Sequence, residues 1–124
     1  MRNTTTLRMA FVCALRGIVG AVRAERNLKI EAGCALCALL AAAVLDVGAM
    51  GWVAVLTMIA LVMGAELCNC AIETLVDMVS PQLSPLAQKA KDTAAGAVLL
   101  AAFVSVVVGL IIFIPALLRL VSRA

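Results

Sequence analysis

Four side chains of one short stretch carry the chemistry of this sequence. In "GAELCNCAIETLVD", Gly64 to Asp77, the residues Glu66, Asn69, Glu73 and Asp77 follow an apolar run in which every charge is costly to bury. Their spacing is i, i+3, i+7 and i+11, and on an ideal helix the four fall within roughly 80° of one another. Together they make one polar stripe of three carboxylates and an amide. Hard oxygen ligands of this kind suit Mg²⁺, which takes one or two carboxylates plus phosphate oxygens, and a separate carboxylate can accept a hydroxyl proton. Glu25, Lys29 and Glu31 precede one apolar segment, and Lys91 and Asp92 open another. If the chain folds back on itself, all of them reach the same end as the stripe. An ammonium placed there can neutralise phosphate charge, so the set fits the handling of a Mg-nucleotide such as ATP.

Other chemistries are excluded by residue type. The chain has no His and no Tyr, which removes a His general base and a His-ligated metal. No G-x-x-x-x-G-K-[ST] loop occurs, so any nucleotide is held without a P-loop. The five cysteines, Cys13, Cys34, Cys37, Cys68 and Cys70, lie among Ala, Leu and Val and read as small packing residues. Cys34-x-x-Cys37 has no second pair at zinc spacing, and no disulfide is implied. With three Phe, one Trp and a net charge of +3, nucleic acid is not an expected partner.

The elements that must position these groups are membrane helices. Of the 124 residues 65% are hydrophobic and 14% charged, and the mean hydropathy is +1.17, which lies in the membrane range. The expected fold is an all-α integral membrane protein in a single domain, residues 1–124, with an N-terminal amphipathic helix and three transmembrane helices. In the N-terminal segment, residues 1–31, expected as one interfacial helix, Arg8, Arg16, Arg23 and Arg26 fall within roughly an 80° sector, a basic stripe suited to lying on the membrane. Arginines recurring through Arg23 argue against a cleaved signal peptide. A first span is expected over 28–46, then a hairpin at "DVGAMG". A second span over 50–79 outruns the bilayer, "SPQLSP" breaks it, and a third covers 90–118. Eight of the ten Lys and Arg sit in the N-terminal segment and the Pro-containing loop, which places both in the cytoplasm.

Three motifs carry a family resemblance. "ELCNCAIETLVD", "AERNLKIE" before the first span and "AKDTAAGAVLLAA" opening the third resemble the prokaryotic diacylglycerol kinase family, which includes the undecaprenol kinases; the resemblance runs from Ala14 to Pro115. It implies a bacterial inner-membrane lipid kinase, working as a homotrimer with shared sites, that transfers the γ-phosphate of ATP to a lipid alcohol. Position by position, Glu66 matches the family's general base, and Glu25 and Glu73 match its metal-binding carboxylates. Lys91 and Asp92 match nucleotide-contacting positions, and Asn69 and Asp77 match polar positions lining the site. Two departures stand out: Cys70 replaces the usual Ser or Thr after the Asn, and Glu31 stands where undecaprenol kinases often have His and the diacylglycerol kinases of Gram-negative type have an acidic residue. Glu25-Arg26-Asn27, Arg16-Gly17-Ile18 and the A-A-G-A-V-L run resemble the undecaprenol branch, so undecaprenol is the expected acceptor over diacylglycerol.

Two other functions use the same residues differently. A small proton- or cation-coupled transporter would place its carboxylates near mid-bilayer and show paired repeats; here they gather at one end and no repeat is visible. A non-catalytic assembly subunit would use the stripe only to hold helices together.

Overall fold

Local chemistry divides the chain at three places, and between them it is helical throughout. The computed structural model describes residues 6–124; the first five, Arg2 and Thr4 among them, lie outside the described residues. Four helices follow: α1, Leu7–Ala24; α2, Arg26–Leu45; α3, Gly48–Val79; and α4, Pro85–Ser122.

The first break is one residue wide. Glu25 is extended (φ −100°, ψ 122°), ends α1 with its N–H on the Ala21 carbonyl, and starts α2. The N-terminal segment is therefore not one helix to residue 31. Arg26, Lys29 and Glu31 belong to α2, and of the expected basic stripe only Arg8, Arg16 and Arg23 share α1. The second break is the hairpin, where Asp46 takes the left-handed conformation (φ 52°) and Gly48 has φ 77°, a region glycine enters at no steric cost. The third is the Pro-containing loop. Ser80 ends α3 with its N–H on Val76 O at 2.7 Å, and Ser84 caps α4 by accepting from Ala87 N at 3.1 Å. Pro85 then occupies the first turn of α4, where its missing N–H costs nothing. So Pro85 begins a helix, and α4 starts five residues before the expected third span, taking in Lys89 as well as Lys91 and Asp92.

α3 and α4 form the main antiparallel pair, α2 packs chiefly on α3, and α1 lies against α2. At 1.5 Å per residue, the 32 residues of α3 extend about 48 Å, well beyond the ~30 Å hydrocarbon core of a bilayer. The interior is thin. Its buried apolar residues are Leu28, Ala42, Val55, Ala94, Ala101 and Ala116, while large side chains such as Leu99, Phe103, Leu110 and Ile111 face outward. In water that surface would be prohibitive; in lipid it is the expected exterior. Three helices, α2, α3 and α4, are long and apolar enough to cross a membrane.

Candidate active site

Against this apolar background, two polar side chains are buried among the described residues: Glu66 (3% exposed) and Asn69 (6%), both on α3. A carboxylate so removed from solvent needs a partner. Glu66 Oε1 accepts from Asn27 Nδ2 at 3.4 Å, a contact between α2 and α3. Asn27 lies two residues after the break at Glu25, and the fully buried Leu28 beside it anchors that turn of α2 in the bundle. One turn further along α3, Asn69 Nδ2 donates to Glu73 Oε1 at 3.4 Å. Its own Oδ1 is buried without a hydrogen-bond partner, as is Oε2 of Glu31 on α2.

Cys70 on α3 lies within electrostatic range of Glu25, Glu31, Glu66 and Glu73, and Glu31 within that of Glu66. Glu25 does not spend its side chain capping α2. Towards the α3–α4 loop the sign of the charge changes. Lys91 Nζ on α4 pairs with Asp77 Oδ1 on α3 at 2.5 Å. Asp92, one residue on, turns away and accepts from Gln88 Nε2 at 2.8 Å on the exposed side of α4.

The sequence-expected residues thus divide in two. Glu66, Asn69 and Glu73 form a contiguous set, with Glu25 and Glu31 brought to it from the start of α2, whereas Asp77 and Lys91 form a separate pair and Asp92 is engaged within its own helix. Asn27 was missed by the stripe argument. Its signal was present, an amide between charged and apolar residues two positions after Glu25, but only the fold shows what it faces.

The donor set suits Mg²⁺. Four carboxylates in range of Cys70, beside an unpartnered Asn69 oxygen, give an excess of hard acceptors with few donors to satisfy them. This fits a cation of that kind. Among the described residues no three His, Cys, Asp or Glu side chains form a metal cage by themselves, consistent with an ion that draws its remaining ligands from phosphate and water.

The model of the prokaryotic diacylglycerol kinase family matches residues 12–113 of this chain. The chain belongs to that family. Undecaprenol kinase of Bacillus subtilis (strain 168) is 39% identical over 108 residues, covering 87% of this chain and 88% of that protein. A diacylglycerol kinase of Synechocystis sp. is 41% identical over 116 residues, 92% of this chain and 66% of the relative. The diacylglycerol kinase of Escherichia coli (strain K12) is 35% identical over 92 residues, covering 74% and 75% of the two chains. As a member of the prokaryotic diacylglycerol kinase family with three membrane-length helices, the chain is a multi-pass membrane lipid kinase. As a kinase it works with a phosphoryl donor.

Proposed function

We propose that this protein transfers the γ-phosphate of ATP to a membrane lipid alcohol at the cytoplasmic face of the bacterial inner membrane. The observation that carries this reading is the burial of Glu66 on a single amide donor, at one end of an apolar bundle, with Glu31 in electrostatic range of it and Glu25 and Glu73 in range of the neighbouring Cys70. Such a carboxylate can meet a hydroxyl that arrives from the lipid side. Glu66 takes the hydroxyl proton, the freed oxygen attacks the γ-phosphorus in line, and the bond to the β–γ bridging oxygen breaks to release ADP. Glu25 and Glu73 would hold Mg²⁺, whose chemistry is to neutralise phosphate charge. Lys91 offsets charge on the nucleotide from the loop side, with Asp77 beside it. Asp92 contacts the nucleotide from the outer face of α4, and Asn69 fixes the carboxylate of Glu73.

The distribution of charge supports the orientation. The basic side chains of α1, of the start of α2 and of the first turns of α4 mark the cytoplasmic side, and α1, with Arg8, Arg16 and Arg23 in one sector and Leu7, Phe11 and Leu15 exposed, suits the interface. Assembly as a homotrimer with sites shared between subunits is part of this reading and follows from the family resemblance. The 39% identity to an undecaprenol kinase over most of both chains leans the acceptor towards undecaprenol.

The test is transfer from labelled Mg-ATP by the purified protein in micelles, offered undecaprenol and diacylglycerol in parallel. Labelled lipid is expected, and E66Q should reduce its formation by about 10²–10⁴-fold at equal protein and assembly. Turnover by E66Q within a few-fold of the parent would remove Glu66 from the role of base.

A further inference from the structure

α1 is the one helix that the bundle does not hold. None of its 18 residues is buried, and it carries Arg8, Arg16 and Arg23 with no carboxylate of its own. Among the described residues Lys91 with Asp77 is the one ion pair, so these three guanidinium groups have no anionic partner within the chain. At 100° per residue the arginines share one sector of about 80°, and Leu7, Phe11, Leu15 and Ile18 fall in a second sector of about 80° beside it. All four are exposed. An apolar band flanked by unpaired cations fits a surface that is hydrocarbon below and anionic above, as a bilayer rich in anionic phospholipid is. A second copy of the chain is the poorer partner, because it presents the same basic helix and the same net charge of +3.

The inner end of α1 is joined directly to the site. Glu25 alone separates it from α2, and this one residue is tied to both helices: its N–H donates to Ala21 O at 2.8 Å, and its carbonyl accepts from Lys29 N at 3.2 Å. No Gly or Pro loosens the joint. A swing of α1 must therefore be taken up in φ and ψ of Glu25, as hinge motions are taken up at the ends of elements. Those two angles also aim the Glu25 carboxylate, which lies in electrostatic range of Cys70. Two residues further on, Asn27 holds Glu66. The orientation of α1 thus bears on both the metal carboxylate and the tie of the base.

We infer that α1 reads the charge of the membrane surface: docked on anionic phospholipid it fixes the angle at Glu25, and with it the carboxylate offered to Mg²⁺, so that lipid composition sets the Mg²⁺ requirement of transfer. The inference rests on the lipid-kinase reading above and adds its regulation. On a neutral surface the apolar band still adheres, but the arginines gain nothing and α1 pivots about Glu25. Each basic residue near an anionic surface strengthens attachment about 5-fold, and the three of α1 together about 100-fold.

The experiment places the full chain in vesicles of phosphatidylcholine, alone or in equal parts with phosphatidylglycerol, and measures the Mg²⁺ concentration for half-maximal transfer. An anionic surface concentrates Mg²⁺ by itself, so R8Q/R16Q, which keeps the apolar band and touches no residue of the site, is measured beside the parent. Between neutral and anionic vesicles the parent's requirement should fall by about 5-fold or more beyond the fall seen for R8Q/R16Q. R8K/R16K should behave as the parent, and the excess should vanish in about 1 M salt, where screening is complete within about 3 Å. Equal shifts in the parent and R8Q/R16Q overturn the inference. A second readout needs no turnover: trypsin cleavage after Arg23, beside the joint, should slow about 5-fold or more on anionic vesicles in the parent and less in R8Q/R16Q. Cleavage indifferent to lipid charge overturns the docking, and an altered oligomeric mass for R8Q/R16Q overturns it by making α1 a contact between copies. A parent that docks by the cleavage test but phosphorylates no lipid removes the lipid-kinase reading itself.

Discussion

Asn27 Nδ2 and Glu66 Oε1 meet at 3.4 Å, joining the first turn of α2 to the middle of α3 across 39 positions of sequence. This is the tie that holds a buried carboxylate in one orientation. Hydrogen bonds to charged groups contribute about 1.5–3 kcal/mol, so N27A should lower kcat by roughly 10-fold or more. Because Asn27 acts through Glu66, the two changes should not add. In an E66Q background N27A is expected to cost little further, and a double-mutant cycle of kcat measures this. Equal penalties in both backgrounds would mean that Asn27 acts elsewhere.

Lys91 and Asp77 form the second tie, between α3 and α4 on either side of the Pro-containing loop. Asp77 is well exposed and Lys91 partly so, and pairs of this kind are worth little to stability, about 0.2–1 kcal/mol. The expected effect of D77N therefore falls on the position of the ammonium more than on the fold. KM for ATP should rise about two- to five-fold with kcat nearly unchanged, D77E should restore it, and K91M should be worse than D77N. A fall in KM for D77N would identify Asp77 as a competitor of the phosphate.

The helical stripe of Glu66, Asn69, Glu73 and Asp77 was legible because α3 runs unbroken from Gly48 to Val79, so 100° steps stay true over its length. The same arithmetic failed at the N-terminus. There a single extended residue, Glu25, in a stretch without Gly or Pro, resets the helix phase and moves Arg26 off the stripe of α1. Pro85 misled in the opposite direction. Proline stops a helix only where its N–H is needed, and behind the Ser84 cap it is not. Pairings between helices, such as Asn27 with Glu66, depend on depth and rotation, which periodicity within one helix does not contain.

Two glycines set the hairpin between α2 and α3. Gly48 has φ 77°, where an L side chain costs roughly 1–2 kcal/mol, and a Cβ on Gly51 would come within 2.6 Å of Val47 Cβ. Both G48V and G51A should lower the midpoint of thermal unfolding in detergent. D46G, which relieves a non-glycine left-handed residue, should leave it unchanged or raise it. An unchanged midpoint for G48V would show that the turn relaxes at no cost.

The carboxylates around Cys70 make a prediction about divalent ions. Glu73 receives the amide of Asn69 and Glu25 is left free of a capping role, so both can turn an oxygen to a cation that the nucleotide brings. Removing one of two carboxylate ligands weakens metal binding but does not move the base. E73Q and E25Q should therefore raise the Mg²⁺ concentration for half-maximal transfer by about 10-fold or more, on the scale of one lost charged contact, with part of kcat recovered at high Mg²⁺. E66Q should show the reverse pattern, a low kcat with the Mg²⁺ requirement close to that of the parent. Chelation with EDTA should abolish transfer in every variant, and readdition of Mg²⁺ should restore it in the parent. The measurement is a Mg²⁺ titration of transfer at fixed total ATP. If E73Q lowered kcat by the same factor at all Mg²⁺ concentrations, Glu73 would be acting as a structural partner of Asn69 and the metal would be held by other groups.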